Sequence, residues 1–414
     1  MIRLKAEHKT IVSNVVALFT LQGLNYILPL ILLPYLVHVL GIERFGLLAF
    51  ATATILFFRS VVAYGFDYTG TQQIAIQRED TKKVSEIFSA ILSVKFLLVG
   101  ATFLVLLLLL GFVEKVGLEW KVFLFTFLVV IGDALFPTWF FQGMEKMKMI
   151  TYFRMIHKAL SIIIIILLVK EEGDYMLVPL IDGIGSILAG VMALVYIRTK
   201  FKIGFLFPSL SAISFQFKNS WHVFLSQIAV HFYTTINIFV LGLLTDNETV
   251  GYYSLAYKVY GAIKGLLAPV NKAIFPFLSK KYVKNKEAYY KLIKKISTVY
   301  VMVLAVLALL THTFSSQIIG LISGKVLPPA VELLEIFSFS MFFAIGASFS
   351  LLLVIKSENK TLSKITFWSM IVNLVLLYPS ISLFGIYGLA YHFLIVQIFH
   401  AYMQVKYNIE IWKK

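Results

Sequence analysis

Residues 84–112 read VSEIFSAILSVKFLLVGATFLVLLLLLGF. A helix needs ~20 mostly apolar residues to cross a bilayer. This stretch exceeds that length and, beyond Glu86, holds one charge, Lys95. Such a run belongs in lipid. Outward from it the same reading repeats. The other spans expected are 11–40, 44–66, 119–141, 151–170 and 176–198, then 219–244, 250–279, 290–314, 328–355, 362–384 and 386–407. Composition agrees. The 414 residues are 59% hydrophobic and 14% charged, against about 25% charged in soluble proteins. Mean hydropathy is +0.87. The fold class that follows is an all-α polytopic membrane protein of about 12 transmembrane helices.

Lys and Arg fix the orientation, because cytoplasmic connections carry the excess of them. They gather in alternate connections: Arg3, Lys5 and Lys9; Arg78, Lys82 and Lys83; Lys146, Lys148, Arg154 and Lys158; Arg198, Lys200, Lys202 and Lys218. The pattern continues with the seven lysines of 280–295, with Lys356, Lys360 and Lys364, and with Lys406, Lys413 and Lys414. The opposite connections hold only Arg44, Lys115, Lys121, Lys170 and Lys325. Both ends are therefore expected in the cytoplasm of a bacterial inner membrane. The net charge of +16 is mainly this topology signal, with attraction to anionic membrane lipid as a second consequence. The basic residues are dispersed over separate loops, so nucleic acid is not an expected partner. The chain has no cysteine, which excludes disulfides and thiolate metal sites. Its first apolar run is too long for a cleavable signal and is read as a retained span.

The basic stretch 201–218, with Pro208, divides a first bundle (1–200) from a second (219–414). The halves resemble each other weakly. One opens at Asn14, reaches Leu40-Gly41 and restarts at Phe45-Gly46; the other opens at Asn219, reaches Leu241-Gly242 and restarts at Val250-Gly251. An even number of spans per half would give pseudo-two-fold symmetry about the membrane normal, with a cleft between the bundles. Prolines at 29, 34, 137, 179, 269, 276 and 379 fall inside spans. Each removes a backbone hydrogen bond, so bending is expected there.

Charges inside the hydrocarbon are costly and usually face a bundle interior or a wet cavity. Those expected there are Arg59, Lys95, Asp133, Lys258, Lys264 and Lys272. At ~1.5 Å per residue the first three lie ~10–17 Å from the cytoplasmic edge. Asp133 then pairs with Arg59 or Lys95 and leaves one cation over. Lys258, Lys264 and Lys272 form a basic ladder along one span, suited to a phosphate, pyrophosphate or acidic sugar. Lys272 and Lys258 also have the option of snorkelling to the surface. Asp133 is a coupling candidate as well as a structural partner. Asp67 and Asp182 are weaker candidates. Gln22 and Asn25, three apart, share a helix face and fit either sugar hydroxyls or a helix–helix hydrogen bond. There is no HExxH, P-loop or GxSxG motif, so neither catalysis nor a cofactor is expected.

Several segments resemble Wzx-type polysaccharide flippases of the multidrug/oligosaccharidyl-lipid/polysaccharide exporter group. They are NYILPLILLPYLVHVLGIERFGLLAFA (25–51), YGFDYTGTQQIAIQRED (64–80), GDALFPTWFFQGMEKMKMI (132–150) and LGLLTDNETVGYYSLAYKVYGAIKGLLAPVNKAIFPFLSK (241–280). The resemblance implies two six-helix bundles with alternating access. It implies transfer of undecaprenyl-pyrophosphate-linked O-antigen repeat units from the cytoplasmic to the periplasmic leaflet. A polymerase and a chain-length regulator are implied as pathway partners. Two other classes stay open. A small-molecule exporter of the related multidrug type would call for unpaired acids in the spans. An O-antigen polymerase would call for a large outer loop with polar catalytic groups, and the longest here, about 315–327, has no acid.

Overall fold

The computed structural model describes residues 2–267, 274 and 278–413; for 2–30, 233–234, 347–348, 351, 359 and 410–413 it describes the backbone alone. The described residues are almost wholly helical and include no strand. The first half holds α1 (Ile2–Ala63), α2 (Phe66–Gln77), α3 (Thr81–Phe112), α4 (Glu114–Leu118), α5 (Trp120–Leu135), α6 (Thr138–Gly143), α7 (Met147–Leu168) and α8 (Leu177–Tyr196). There follow α9 (Leu210–Thr234), α10 (Ile236–Leu244), α11 (Asn247–Gly265), α12 (Lys286–Thr313), α13 (Ser315–Ser323), α14 (Pro328–Ser340), α15 (Ile345–Ile355) and α16 (Asn359–Lys413). Among the described residues seven helices are long and apolar enough to cross a membrane, or eight if α9 and α10 form one broken span.

Capping fixes several starts. Asp80 accepts hydrogen bonds from the N–H groups of Lys82 and Lys83 at 3.0 Å and opens α3. Asp246 does the same for α11 through Thr249 at 2.7 Å, and Asn285 for α12 through Ala288 at 2.9 Å. Each oxygen satisfies a donor that the first turn leaves free. Two helices are too long for one crossing. The 55 residues of α16 would extend ~80 Å if straight, against ~30 Å of hydrocarbon. The backbone breaks at Gly385 (φ 59°, ψ −144°), as α1 breaks at Gly41 (φ 72°, ψ 172°). Residues with a Cβ seldom enter that region, and glycine does so freely. Both glycines fall between expected spans.

Most prolines do not make the turns. Pro34 and Pro379 sit within helical backbone, and Pro179 lies in the first turn of α8, where its missing N–H has no intrahelical partner to lose. Pro269 and Pro276 lie outside the described residues. Pro137, by contrast, separates two helices, α5 and α6.

The chain forms two compact units. One comprises residues 1–35 and 50–231, the other 36–49 and 232–414. The basic stretch after α8 runs along the first unit, where the Leu206 N–H donates to Ser89 Oγ at 2.8 Å. Helix α9 follows it there. Thr69 and Ser220 hydroxyls meet at 2.7 Å, Gln73 and Gln216 exchange two 2.9 Å bonds, and Phe224 stacks on Tyr64 at 4.6 Å. The core of this unit is aromatic: Phe66, Phe88, Phe136, Trp139, Phe140 and Phe141 are all buried. Helices α5 and α8 approach through small residues. A methyl group on Gly132 would lie 2.2 Å from Ser186 Oγ, and one on Gly183 2.5 Å from Leu128 Cβ. Close approach through small residues is how helices associate in lipid. The outer faces of α3 and α7 present large apolar side chains, such as Leu97, Leu104, Leu108, Leu167 and Leu168.

In the second unit α11 crosses the segment 42–46. A methyl on Gly46 would lie 1.8 Å from the Asn247 carbonyl oxygen, and one on Gly251 2.2 Å from that of Ile42. Gly46 and Gly251 are the glycines at the two restarts that the sequence comparison sets side by side. Tyr253, Tyr260, Phe337 and Phe393 pack edge to face beside them. Buried Asn237 and Asn373 are linked at 3.1 Å, and buried His392 reaches the Asn373 carbonyl at 3.1 Å.

Candidate functional site

The segment GDALFPTWFF (132–141) builds the centre of the site. In an α-helix the carbonyl of residue 133 would accept from the N–H of residue 137, but Pro137 has none. The Asp133 carbonyl is thereby freed inside an apolar bundle. Lys95, buried on α3, fills the vacancy: its Nζ donates to that oxygen at 2.7 Å. A buried ammonium and an orphaned carbonyl each cost free energy alone; together they satisfy each other.

The Asp133 side chain is left for other partners. Arg59 Nε on α1 donates to its Oδ2 at 2.6 Å. Arg154 Nη2 on α7 lies 4.0 Å from Oδ1, donates to Thr138 Oγ1 at 3.2 Å, and sits over the Phe136 ring at 5.1 Å. The expected alternative between Arg59 and Lys95 is thus resolved as both, one on the carboxylate and one on the main chain. These groups line a cavity of about 270 Å³ with Asp67, Gln227 and His231. Its walls carry three basic side chains, Arg59, Lys95 and Arg154, against two carboxylates, Asp67 and Asp133. Five donors on Arg154 exceed what Thr138 and Asp133 absorb, and its side chain is 39% exposed.

Arg154 was read from sequence as a topology charge, yet it sits inside α7. Its spacing with His157 and Lys158, i, i+3 and i+4, marks a polar helix face and was the available signal. Nothing in the sequence marked Gln227 or His231, which α9 brings to the cavity. Asp182 is also engaged: Lys158 Nζ lies 3.2 Å and His157 Nε2 3.4 Å from its Oδ1.

Of the expected site residues, Arg59, Lys95, Asp133 and Asp67 converge in the first unit. Lys258 and Lys264 belong to the second. Lys258 is exposed, with Nζ 4.6 Å above the Phe45 ring, and Lys264 lies 5.7 Å from the Tyr260 ring. The span expected at 250–279 does not continue unbroken past Lys264. Helix α11 ends at Gly265, and Lys264 occupies its last turn. Lys272 lies outside the described residues, as do the side chains of Gln22 and Asn25.

The chain matches the model of the polysaccharide biosynthesis protein family over residues 11–282. It belongs to that family. A relative in Escherichia coli (strain K12), named "Putative O-antigen transporter", is 31% identical over 380 residues, 91% of each chain. Another of the same name, in Shigella dysenteriae, is 28% identical over 402 residues, covering 95% of this chain and 99% of that one. In fold this member of the family is similar to the lipid II flippase MurJ in an inward closed conformation, with a TM-score of 0.74 at 16% identity over 96% of this chain and 87% of that one. It is also similar to an inward-facing multidrug resistance MATE family transporter of the MOP superfamily, with a TM-score of 0.70 at 13% identity over 92% and 93% of the two chains. The chain is therefore an all-α, multi-pass membrane protein.

Proposed function

We propose that the chain is a flippase that moves undecaprenyl-pyrophosphate-linked polysaccharide repeat units from the cytoplasmic to the periplasmic leaflet of the inner membrane. The observation that carries this is the cavity of the first unit, where Arg59, Lys95 and Arg154 outnumber Asp67 and Asp133 inside an apolar bundle. Such a field attracts an anionic headgroup and opposes a cationic drug. The lipid tail stays in the membrane while pyrophosphate and sugars pass the cationic groups. The names of the bacterial relatives support the substrate class.

In this reading the molecule has 12 spans in two bundles, 1–200 and 219–414, joined by 201–218, with both ends cytoplasmic. The bundles open alternately to the two faces. Lys258, Lys264, Lys272, Gln22 and Asn25 extend the path beyond the cavity, and Asp67 and Asp133 balance its charge. A polymerase and a chain-length regulator act on the product, and no catalytic step or cofactor is needed.

The test is a deletion strain in which the lipid-linked repeat unit is assigned to each leaflet. Accumulation on the cytoplasmic leaflet, reversed by the wild-type chain but not by Arg154→Ala, is expected. Unpolymerised units reaching the surface of the deletion strain would overturn the reading in favour of a polymerase. An unchanged surface would overturn it in favour of small-molecule export.

A further inference from the structure

One cluster in the first unit plays no part in holding the cavity together. His157 on α7 faces α8 inside the membrane-spanning region. Its Nε2 lies 3.1 Å from the Asp182 carbonyl oxygen and 3.4 Å from Asp182 Oδ1. Lys158 Nζ lies 3.2 Å from the same Oδ1. Gly185, one turn beyond Asp182, leaves room for the ring: a methyl group there would sit 2.6 Å from His157 Cδ2. The imidazole thus occupies a slot shaped for it, with its side chain 15% exposed.

Both oxygens facing Nε2 are acceptors, so Nε2 carries hydrogen and Nδ1 is the atom that takes a proton. With neutral His157, Lys158 and Asp182 balance each other. With protonated His157, two cations share one carboxylate, and a net charge arises within an apolar helix pair. That charge sits one helical turn from Arg154, since positions i and i+3 are neighbours on a helix surface. Arg154 in turn reaches into the cavity.

Among the described residues the charged and titratable groups around His157 are few. Helix α8 presents Asp182; α7 itself carries Arg154 and Lys158; α1 brings Arg59 within electrostatic reach of Asp182; α5 contributes Asp133. Helix α6, which also packs on α7, has no titratable side chain. Asp133 is committed to Arg59 and Arg154, whereas histidine is the side chain that ordinarily changes charge between pH 5 and 8.

We propose that His157, with Asp182 and Lys158, is a proton-binding site coupled to anion binding in the neighbouring cavity. The proposal rests on the reading of that cavity as an anion site. An anionic headgroup beside Arg154 offsets the charge that protonation adds, so anion binding draws a proton onto Nδ1. By linkage, the proton tightens anion binding by the same factor. Release of the anion on the far side would release the proton with it, so the proton would accompany each unit outward and offset part of the headgroup's negative charge during transfer.

The experiment uses the full chain in nanodiscs and inorganic pyrophosphate as probe. Calorimetric titration in buffers of different ionisation heat counts the protons taken up on binding. Wild type minus His157→Gln removes the probe's own ionisation. Wild type is expected to bind ~10-fold tighter at pH 6 than the variant does, with the two converging at pH 8, and to take up an extra fraction of a proton. Asp182→Asn, which keeps the side-chain shape, should lose much of that uptake and serves if His157→Gln folds poorly. Equal proton uptake by wild type and both variants would overturn the coupling while leaving the anion site intact. No pyrophosphate binding by wild type at either pH would overturn the anion site and the coupling together.

Discussion

Arg59 and Asp133 form the shortest ion pair of the cavity, and removing one member takes away the other's nearest opposite charge. Arg59→Met or Asp133→Leu alone should lower the melting temperature, and a double-mutant cycle should give a coupling of about 1–3 kcal/mol. The double substitution should regain much of the stability but no transport. Transport by the double variant would mean that the pair serves only the fold. Lys356, just beyond α15, behaves differently. Burial pushes its ammonium down from 10.5 to about 8, with Glu358 opposing. The lowered value belongs to the folded state, so the cost of burying the charge is present below pH 8. It is relieved between pH 8 and 10.5, where the folded state gains stability relative to the unfolded. The melting temperature of the wild type relative to Lys356→Met should therefore rise between pH 8 and 10.5, as thermal unfolding in detergent would measure. At this scale the sequence was legible for type and not for pairing. Arg59, Lys95 and Asp133 stood out because charge is rare in a span. That Lys95 would answer a main-chain oxygen required knowing that Pro137 breaks the helix where α3 passes.

Helix α5 depends on two neighbours in its own sequence, Gly132 and Pro137. Pro137→Ala restores an N–H that can reclaim the Asp133 carbonyl. Lys95 would then be left without that acceptor. Transport is expected to fall at least tenfold with the protein still inserted, as leaflet assignment of the repeat unit would measure; full activity would show that the freed carbonyl is incidental. Gly132→Val meets Ser186 instead, and overpacking of this kind costs about 1–3 kcal/mol. Its expected signature is a lower melting temperature in detergent. Element ends were largely legible: Asp80, Asp246 and Asn285 cap helices, and Gly41 and Gly385 turn the chain between expected spans. Proline was the poor guide. A ring at Pro34 or Pro379 leaves the backbone helical, because in lipid the helix is the cheapest way to satisfy peptide groups, so sequence alone does not separate a tolerated proline from a breaking one.

For the molecule as a whole, the natural lack of cysteine provides a direct test of orientation. Single cysteines at two exposed positions, Leu118→Cys and Val283→Cys, should be labelled oppositely by an impermeant maleimide. Leu118→Cys is expected to react in intact spheroplasts, and Val283→Cys only after permeabilisation. The reverse pattern would invert the topology argued from Lys and Arg. Membrane class and helical fold were open to sequence reading because lipid imposes a coarse rule on composition. Unit membership was not, since residues 36–49 look like any other end of a span. Their place in the second unit has a consequence for biosynthesis. At 5–20 residues per second, a ribosome needs roughly 10–40 s to travel from residue 49 to residue 232. Throughout that interval the loop at Gly41 has been made and its packing surface has not. Any lesion that spoils the surface, Gly251→Val above all, would prolong the wait, and the cell would register it as destruction of the newborn chain.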